Sequence, residues 1–331
     1  MTAAIIWSAL GLLALVGGAE MLVRGGSTLA RQLGISPLII GLTVVAIGTS
    51  TPELAVGIDA ALSGEGGLVV GNIAGTNTFN LLFILGLCAL LKPVVLEPAS
   101  LRLELPAMVV ATLAFWAFAA DGSLSRAEGI MFLLGGVGYT ILVVHSARKR
   151  SSPAEKELPA LPRRMRDAQR TGWIHAAAML VGIAIIVAGA DWLVWGSTDL
   201  ALRLEVSEAL IGLTIVAIGT SSPELVTTIV STMRNERDIA VGNLLGSGVY
   251  NIAVILGLTM LVPGDPIGVE DTLIRIDIPV MVAATLLCVP AFLSGKRISR
   301  AEGAVFICCY VGYFAYLILA RVDFDEAVYE F

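Results

Sequence analysis

Two thirteen-residue stretches of this chain, 171 residues apart, are nearly the same: Gly41-Leu-Thr-Val-Val-Ala-Ile-Gly-Thr-Ser-Thr-Pro-Glu53 and Gly212-Leu-Thr-Ile-Val-Ala-Ile-Gly-Thr-Ser-Ser-Pro-Glu224, identical at eleven positions. The offset continues on both sides of the block. Ala19-Glu20 matches Ala190-Asp191, Ser36 matches Ser207, Val70-Gly-Asn72 matches Val241-Gly-Asn243, Asn80 matches Asn251, and Ile84-Leu-Gly86 matches Ile255-Leu-Gly257. A chain that is one unit written twice folds as two like units, so the nature of the unit decides the architecture.

Hydrophobic residues make up 56% of the 331 positions and charged residues 15%, the balance of a multi-span membrane protein. A crossing helix needs about 20 mostly apolar residues. Ten segments qualify: 4–30, 36–62, 67–91, 103–120, 125–147, 173–201, 207–232, 239–262, 276–294 and 299–320. The fold class expected is therefore an all-α polytopic membrane protein of ten transmembrane helices. The first run carries Glu20 and Arg24 and lacks a small-residue cleavage pattern, so it reads as a retained span. Cys88, Cys288, Cys308 and Cys309 all fall inside apolar runs and read as small core residues. With a net charge of −6 and its basic residues confined to short loops, the chain has no footprint for nucleic acid.

The one long connection, 148–171, carries eight Lys and Arg and should lie in the cytoplasm. Counting alternate loops from there places 16 basic residues inside and four outside, with Arg24 inside the first span, and puts both termini outside. The duplicated unit is then five helices, 1–147, with a basic linker 148–171 and a second unit 172–331. Because five is odd, the second unit enters the membrane from the opposite side, which makes the halves inverted copies about an in-plane pseudo-two-fold axis. Ser125-Arg-Ala-Glu128 and Ser299-Arg-Ala-Glu302 both read as capping boxes opening the fifth and tenth helices.

Each copied block sets a carboxylate directly after a proline in an apolar run, where a comparable acid costs about 2.5–3.5 kcal/mol to insert. Such a group needs a partner, and two equivalent acids suggest a shared cation. Pro52 lacks an N–H, which frees the carbonyl of Gly48 four residues earlier; Pro223 and Gly219 repeat the arrangement. Interrupted helices at matching places in inverted halves mark a transport site. Ser50 with Glu53, Thr76 with Asn80, Ser221 with Glu224, and Ser247 with Asn251 each share a helix face. Pseudo-symmetry would gather the four faces into a mid-membrane cage of carboxylate, amide, hydroxyl and carbonyl oxygens. All-oxygen ligation suits hard cations, and Ca²⁺, taking about six to eight oxygens, accepts irregular geometry. The only histidines, His145 and His175, sit at span edges.

The paired blocks ending in Glu53 and Glu224, with Gly71-Asn-Ile-Ala-Gly-Thr-Asn-Thr-Phe-Asn80 and Gly242-Asn-Leu-Leu-Gly-Ser-Gly-Val-Tyr-Asn251, resemble the two alpha-repeats of the calcium/cation antiporter superfamily, and most nearly its prokaryotic sodium/calcium exchangers. The resemblance spans essentially the whole chain. It implies a secondary antiporter of a prokaryotic cell membrane that exchanges Na⁺ for Ca²⁺ by alternating access, not an enzyme, with no cofactor and no obligatory protein partner. It implies that Glu53 and Glu224 bind the two ions in competition. It also implies ligand roles for Ser50, Thr76, Asn80, Ser221, Ser247 and Asn251, backbone oxygens at Ala46, Thr49, Ala217 and Thr220, and a first and sixth helix that gate as a pair. Some relatives carry Asp at position 251, and position 76 is more usually Ser. Proton-coupled relatives carry Glu at both amide positions and K⁺-dependent ones tend to an acid in the second repeat, which counts against those couplings.

Plainer readings apply elsewhere. Gly71 with Gly75, and Gly242 with Gly246, have the spacing of close helix packing. Glu20 and Arg24 are placed for an ion pair, and Asp59 lies off the Glu53 face. The basic linker is a topology determinant that could also meet anionic lipid. An intramembrane hydrolase finds no serine–histidine or metal–histidine arrangement in the spans, and coupled counterflow would exclude a passive channel.

Overall fold

The computed structural model of the chain describes residues 1–95, 103–150, 162–204, 215, 217–295 and 297–328. These form twelve helices: α1 (Thr2–Leu33), α2 (Pro37–Thr49), α3 (Thr51–Leu62), α4 (Gly66–Leu91), α5 (Glu104–Ala119), α6 (Arg126–Arg150), α7 (Pro162–Arg203), α8 (Ala217–Thr220), α9 (Ser222–Met233), α10 (Arg237–Thr259), α11 (Ile278–Gly295) and α12 (Arg300–Val328).

Seven helical stretches are long and apolar enough to cross a membrane, and an eighth is the pair α2 and α3, bent by 41° at Ser50. Two of the ten expected spans fall short of that test. The span expected at 103–120 is α5, whose 16 residues reach only about 24 Å. The span expected at 207–232 is described as α8 and α9; most of its first ten residues lie outside the described residues. The linker helices run further than expected, since α6 continues to Arg150 and α7 begins at Pro162, while 151–161 lies outside the described residues.

The two central helices are α10 and α4, buried over 94% and 78% of their apolar windows. Around them the cores are aliphatic: Leu81, Leu85, Leu244 and Phe292 in one cluster, Val70, Ile73, Leu256 and Met281 in another. Cys88 and Cys288 belong to the first cluster, as expected of small core residues. Cys308 and Cys309 do not, because α12 is peripheral and presents both outward.

Helix α1 lies against α7, and glycines set the distance. A Cβ on Gly18 would stand 2.8 Å from the carbonyl oxygen of Gly182, and one on Gly182 would stand 2.8 Å from that of Gly18. Gly11 meets Gly189 in the same reciprocal way. Moving up one helix moves the contact down the other, so the two are antiparallel, and small residues at the crossing bring the backbones together without a hydrophobic drive from water. Gly242 and Gly246 approach α2 just as closely, at Leu38 and Leu42, as their spacing predicts. Gly71 and Gly75 have no such close neighbour among the described residues; the segment that the duplication would set against them, 209–213, lies outside these.

Four two-residue strands pair crosswise. β1 (Val94–Val95), after α4, pairs antiparallel with β4 (Arg297–Ile298), before α12; β2 (Ser123–Leu124), before α6, pairs with β3 (Ile267–Gly268), after α10. Both capping boxes form, with Glu128 Oε2 accepting from the Ser125 amide at 2.7 Å and Glu302 Oε2 from the Ser299 amide at 2.7 Å.

Candidate functional site

Proline breaks place the carboxylates. Ser50 and Ser221 leave the helical region in the same way, at φ −85°, ψ 14° and φ −86°, ψ 4°, and Pro52 and Pro223 then start α3 and α9. Glu53 and Glu224 stand in the first turn of these helices, whose N-terminal ends favour negative charge. Both are fully buried.

The amides come from the central helices, each of which widens into a π-turn at the same place, over Phe79–Ile84 in α4 and Asn251–Leu256 in α10. Such widened turns recur at functional sites because they re-aim side chains and loosen backbone bonding. Asn80 lies within the first turn and Asn251 opens the second, both fully buried.

The expected ligands meet in two hydrogen-bonded groups. Ser50 Oγ donates to Glu224 Oε1 at 2.9 Å and lies 3.3 Å from Ser247 Oγ. Ser221 Oγ lies 3.4 Å from Thr76 Oγ1. Among the described residues both oxygens of Glu53, Oε2 of Glu224, Oδ1 of Asn251 and both amide atoms of Asn80 have no partner. A buried polar atom without a partner costs about 1–3 kcal/mol, and more when charged. Apart from the N–H₂ group of Asn80 these atoms are all oxygen acceptors, the chemistry that hard cations take.

The backbone oxygens are less open than the prolines suggest. Ala46 O accepts from the Ser50 amide at 3.2 Å and from the Thr49 hydroxyl at 3.4 Å. Gly219 O, released by Pro223, is taken at 2.6 Å by the hydroxyl of Ser222. The equivalent Thr51 turns instead to Ile47 O, so the two halves differ at one of the two positions where the blocks differ. Ala217 and Thr220 bound the short helix α8. The Thr49 hydroxyl lies closer to Asn243 Oδ1, at 3.1 Å, than to Ala46 O, and its single proton is shared between the two oxygens.

Three features escape a sequence reading. Asn77, without an assigned role in the motif, bridges Asn251 and Gly248. Asn72 reaches back to the carbonyl of Glu53 at 3.2 Å. Below Glu224, α9 buries Thr227, Thr228, Ser231 and Thr232, where the first half has Val56, Gly57, Ala60 and Ala61. Thr228 and Thr232 line a cavity with Cys88, Lys92 and Arg237, one turn of helix from Glu224. The 171-residue offset exposes this asymmetry once the helix faces are known. Away from the site, Glu20 pairs with Arg24 as its spacing predicts, and also with Arg234 at the end of α9. Asp59 is exposed and stands apart.

The family described as "Sodium/calcium exchanger protein" matches residues 3–145 and 174–319. The chain is 38% identical over 317 residues to the putative antiporter CaxA of Alkalimonas amylolytica, covering 95% of this chain and 98% of that protein. It is 34% identical to the sodium/calcium exchanger MaX1 of Methanosarcina acetivorans, covering 93% and 96%. Its fold matches that of the sodium-calcium exchanger NCX_Mj with a TM-score of 0.82 at 26% identity, covering 96% of this chain and 99% of that one.

Proposed function

The chain belongs to the sodium/calcium exchanger family, a membrane antiporter and not an enzyme, and from that membership we propose that it exchanges Na⁺ for Ca²⁺ by alternating access through the cage around Glu53 and Glu224. One observation carries the reading: two fully buried carboxylates at duplicated positions, in a site bridged across the halves by the Ser50–Glu224 hydrogen bond, where both oxygens of Glu53, Oε2 of Glu224 and the amide oxygens of Asn80 and Asn251 have no partner among the described residues. Glu53, Glu224, Asn80, Asn251 and the hydroxyls of Ser50, Ser221, Thr76 and Ser247 are the ligands in this reading, with Thr49, Thr220, Ala46 and Ala217 offering backbone oxygen.

Two carboxylates carry two negative charges, which one Ca²⁺ neutralises. Two or three Na⁺ compete for the same oxygens by mass action, so the ions need not bind together. An empty cage with two buried charges is costly to occlude, and the protein then changes state only when loaded, which enforces exchange over leak.

The architecture in this reading is ten spans in two inverted five-helix units, 1–147 and 172–331, joined by a cytoplasmic linker 148–171, with both termini outside. It is supported by the antiparallel packing of α1 on α7, which are repeat equivalents running in opposite directions. It is supported too by the crosswise strands, since each pair is the image of the other under exchange of the halves. Helices α1 and α7, joined along glycines, would move as one gate. The cavity beneath Glu224, largely aliphatic with Thr228 and Thr232 in its wall, would serve as the approach from the linker side. The deciding experiment is ⁴⁵Ca²⁺ uptake into proteoliposomes under imposed Na⁺, K⁺ or H⁺ gradients. Uptake driven by outward Na⁺ alone is expected; uptake that follows H⁺ or requires K⁺ assigns the other coupling, and no coupled uptake overturns exchange.

A further inference from the structure

Asn251 is an amide, and an amide can offer a cation either its oxygen or its repelling N–H₂ group. Which end it offers depends on what holds the other. Its Nδ2 donates to Asn77 Oδ1 at 3.0 Å, and its own Oδ1 is buried without a partner among the described residues.

The orientation of Asn77 is decided in turn by groups with no choice. Its Nδ2 faces the carbonyl oxygen of Gly248 at 3.4 Å and the sulfur of Met281 at 3.7 Å, and both of these only accept. With its N–H₂ so placed, Asn77 presents oxygen to Asn251, and Asn251 must answer with N–H₂. The chain of constraint runs from a backbone carbonyl, through one amide, to the unpartnered oxygen of a second. All of it is buried, Asn77 at 2% exposure and Asn251 at 0%.

The first half has no such device. The repeat equivalent of Asn77 is Gly248, which has no side chain to reach Asn80. Accordingly neither amide atom of Asn80 has a partner among the described residues. One amide of the cage is fixed and its duplicate is left to turn.

We infer that Asn77 is a positioning residue for the cation site, holding the Asn251 amide so that it presents oxygen and not N–H₂ to the ion. The inference rests on the reading of Asn251 as a ligand, and it names a selectivity determinant that lies outside the ligand set.

The test is equilibrium ⁴⁵Ca²⁺ binding in Na⁺-free buffer to the purified full chain, for wild type, Asn77→Ala, Asn251→Asp and the double variant, with Na⁺-driven flux measured alongside. Asn77→Ala should raise the Ca²⁺ Kd by about tenfold, the scale of one polar contact. In the Asn251→Asp background the same change should not weaken binding, because a carboxylate presents oxygen whichever way it turns and has no N–H₂ for Asn77 Oδ1 to hold. Equal weakening in both backgrounds would reduce Asn77 to a packing role, and no weakening in either would overturn the inference. Should Asn77→Ala not fold, Asn77→Ser enters the same comparison with the same criteria. Ca²⁺ binding without Na⁺-driven flux overturns the exchange reading alone and leaves the Asn77 comparison to be read from binding; absence of Ca²⁺ binding by wild type overturns both.

Discussion

Ser50 in one half of the chain donates a 2.9 Å hydrogen bond to Glu224 in the other, whereas its duplicate Ser221 turns to Thr76 and leaves Glu53 without a partner among the described residues. Nearly identical blocks have therefore produced two unlike carboxylates. Glu224 is held by its side chain across the repeat boundary, whereas among the described residues Glu53 is held only through its backbone, where Asn72 donates to its carbonyl. The difference should appear in the stability of the ion-free protein. Hydrogen bonds to charged groups contribute about 1.5–3 kcal/mol, so Ser50→Ala should lower the unfolding temperature in Na⁺- and Ca²⁺-free buffer distinctly more than Ser221→Ala. Equal losses would mean that the Ser50–Glu224 bond does not organise the empty site.

Glu53→Gln and Glu224→Gln should each abolish Na⁺-driven Ca²⁺ exchange in proteoliposomes while the protein still folds and inserts. A neutral amide of the same shape removes half the charge that balances Ca²⁺, without removing the side chain from its place. Robust flux in both single variants would refute the site assignment.

The parts of this molecule that sequence made legible are those dictated by local chemistry. Proline at 52 and 223 breaks a helix wherever it stands, a Ser-x-x-Glu run caps one, and Glu20 with Arg24 share a face, and each forms as its pattern requires. What was hidden depends on partners far away in the chain. The capture of Gly219 O by Ser222, the second partner of Glu20 at Arg234, the bridge from Asn77 to Asn251 and the crosswise strands are all long-range or set by a rotamer. The π-turns at Asn80 and Asn251 left no trace either, since a widened turn needs no particular residue. The duplication alone held a hint of Asn77, as a polar position of the Gly71–Asn80 block matched by glycine.

Inversion of the repeats has a direct topological consequence. Leu62 and Met233 are equivalent under the 171-residue offset, and both are exposed at the last turn of α3 and α9. In a background lacking the four native cysteines, Leu62→Cys and Met233→Cys should react with an impermeant thiol reagent from opposite faces of the membrane, position 62 from outside. Labelling of both from one face would make the repeats parallel and the odd-number argument wrong.

The glycine contact between α1 and α7 should be intolerant of volume. Gly18→Val places a side chain where Gly182 O lies 2.8 Å from the new Cβ, with the Ile186 side chain equally close. Overpacking of this kind costs about 1–3 kcal/mol or more. Gly17→Val, one residue away with nothing among the described residues within 4 Å, is the control and should be silent in thermal unfolding and in exchange. Similar behaviour of the two variants would show that the close crossing does not hold the gate helices together.

Asn251→Asp should change coupling more than folding. The amide oxygen at this position is already buried and unpartnered among the described residues, so a carboxylate of the same size fits the space and adds a third negative charge to the cage, while its second oxygen replaces the N–H₂ that donates to Asn77 and faces Asn77 Oδ1 as a second acceptor. One Ca²⁺ then no longer neutralises the site, and the loaded cage retains a charge that a proton or a monovalent cation can cancel. Ca²⁺ and protons also compete for the new carboxylate: affinity is greatest where that group is ionised and falls as acid protonates it. Between about pH 9 and pH 6, Ca²⁺ affinity should therefore decline more steeply for the variant than for wild type. Na⁺-gradient-driven Ca²⁺ flux should in addition acquire a response to K⁺. Flux and affinity profiles across that range, with and without K⁺, decide the matter: if those of an active variant coincide with wild type, position 251 does not touch the transported ions and the cage is open on that side.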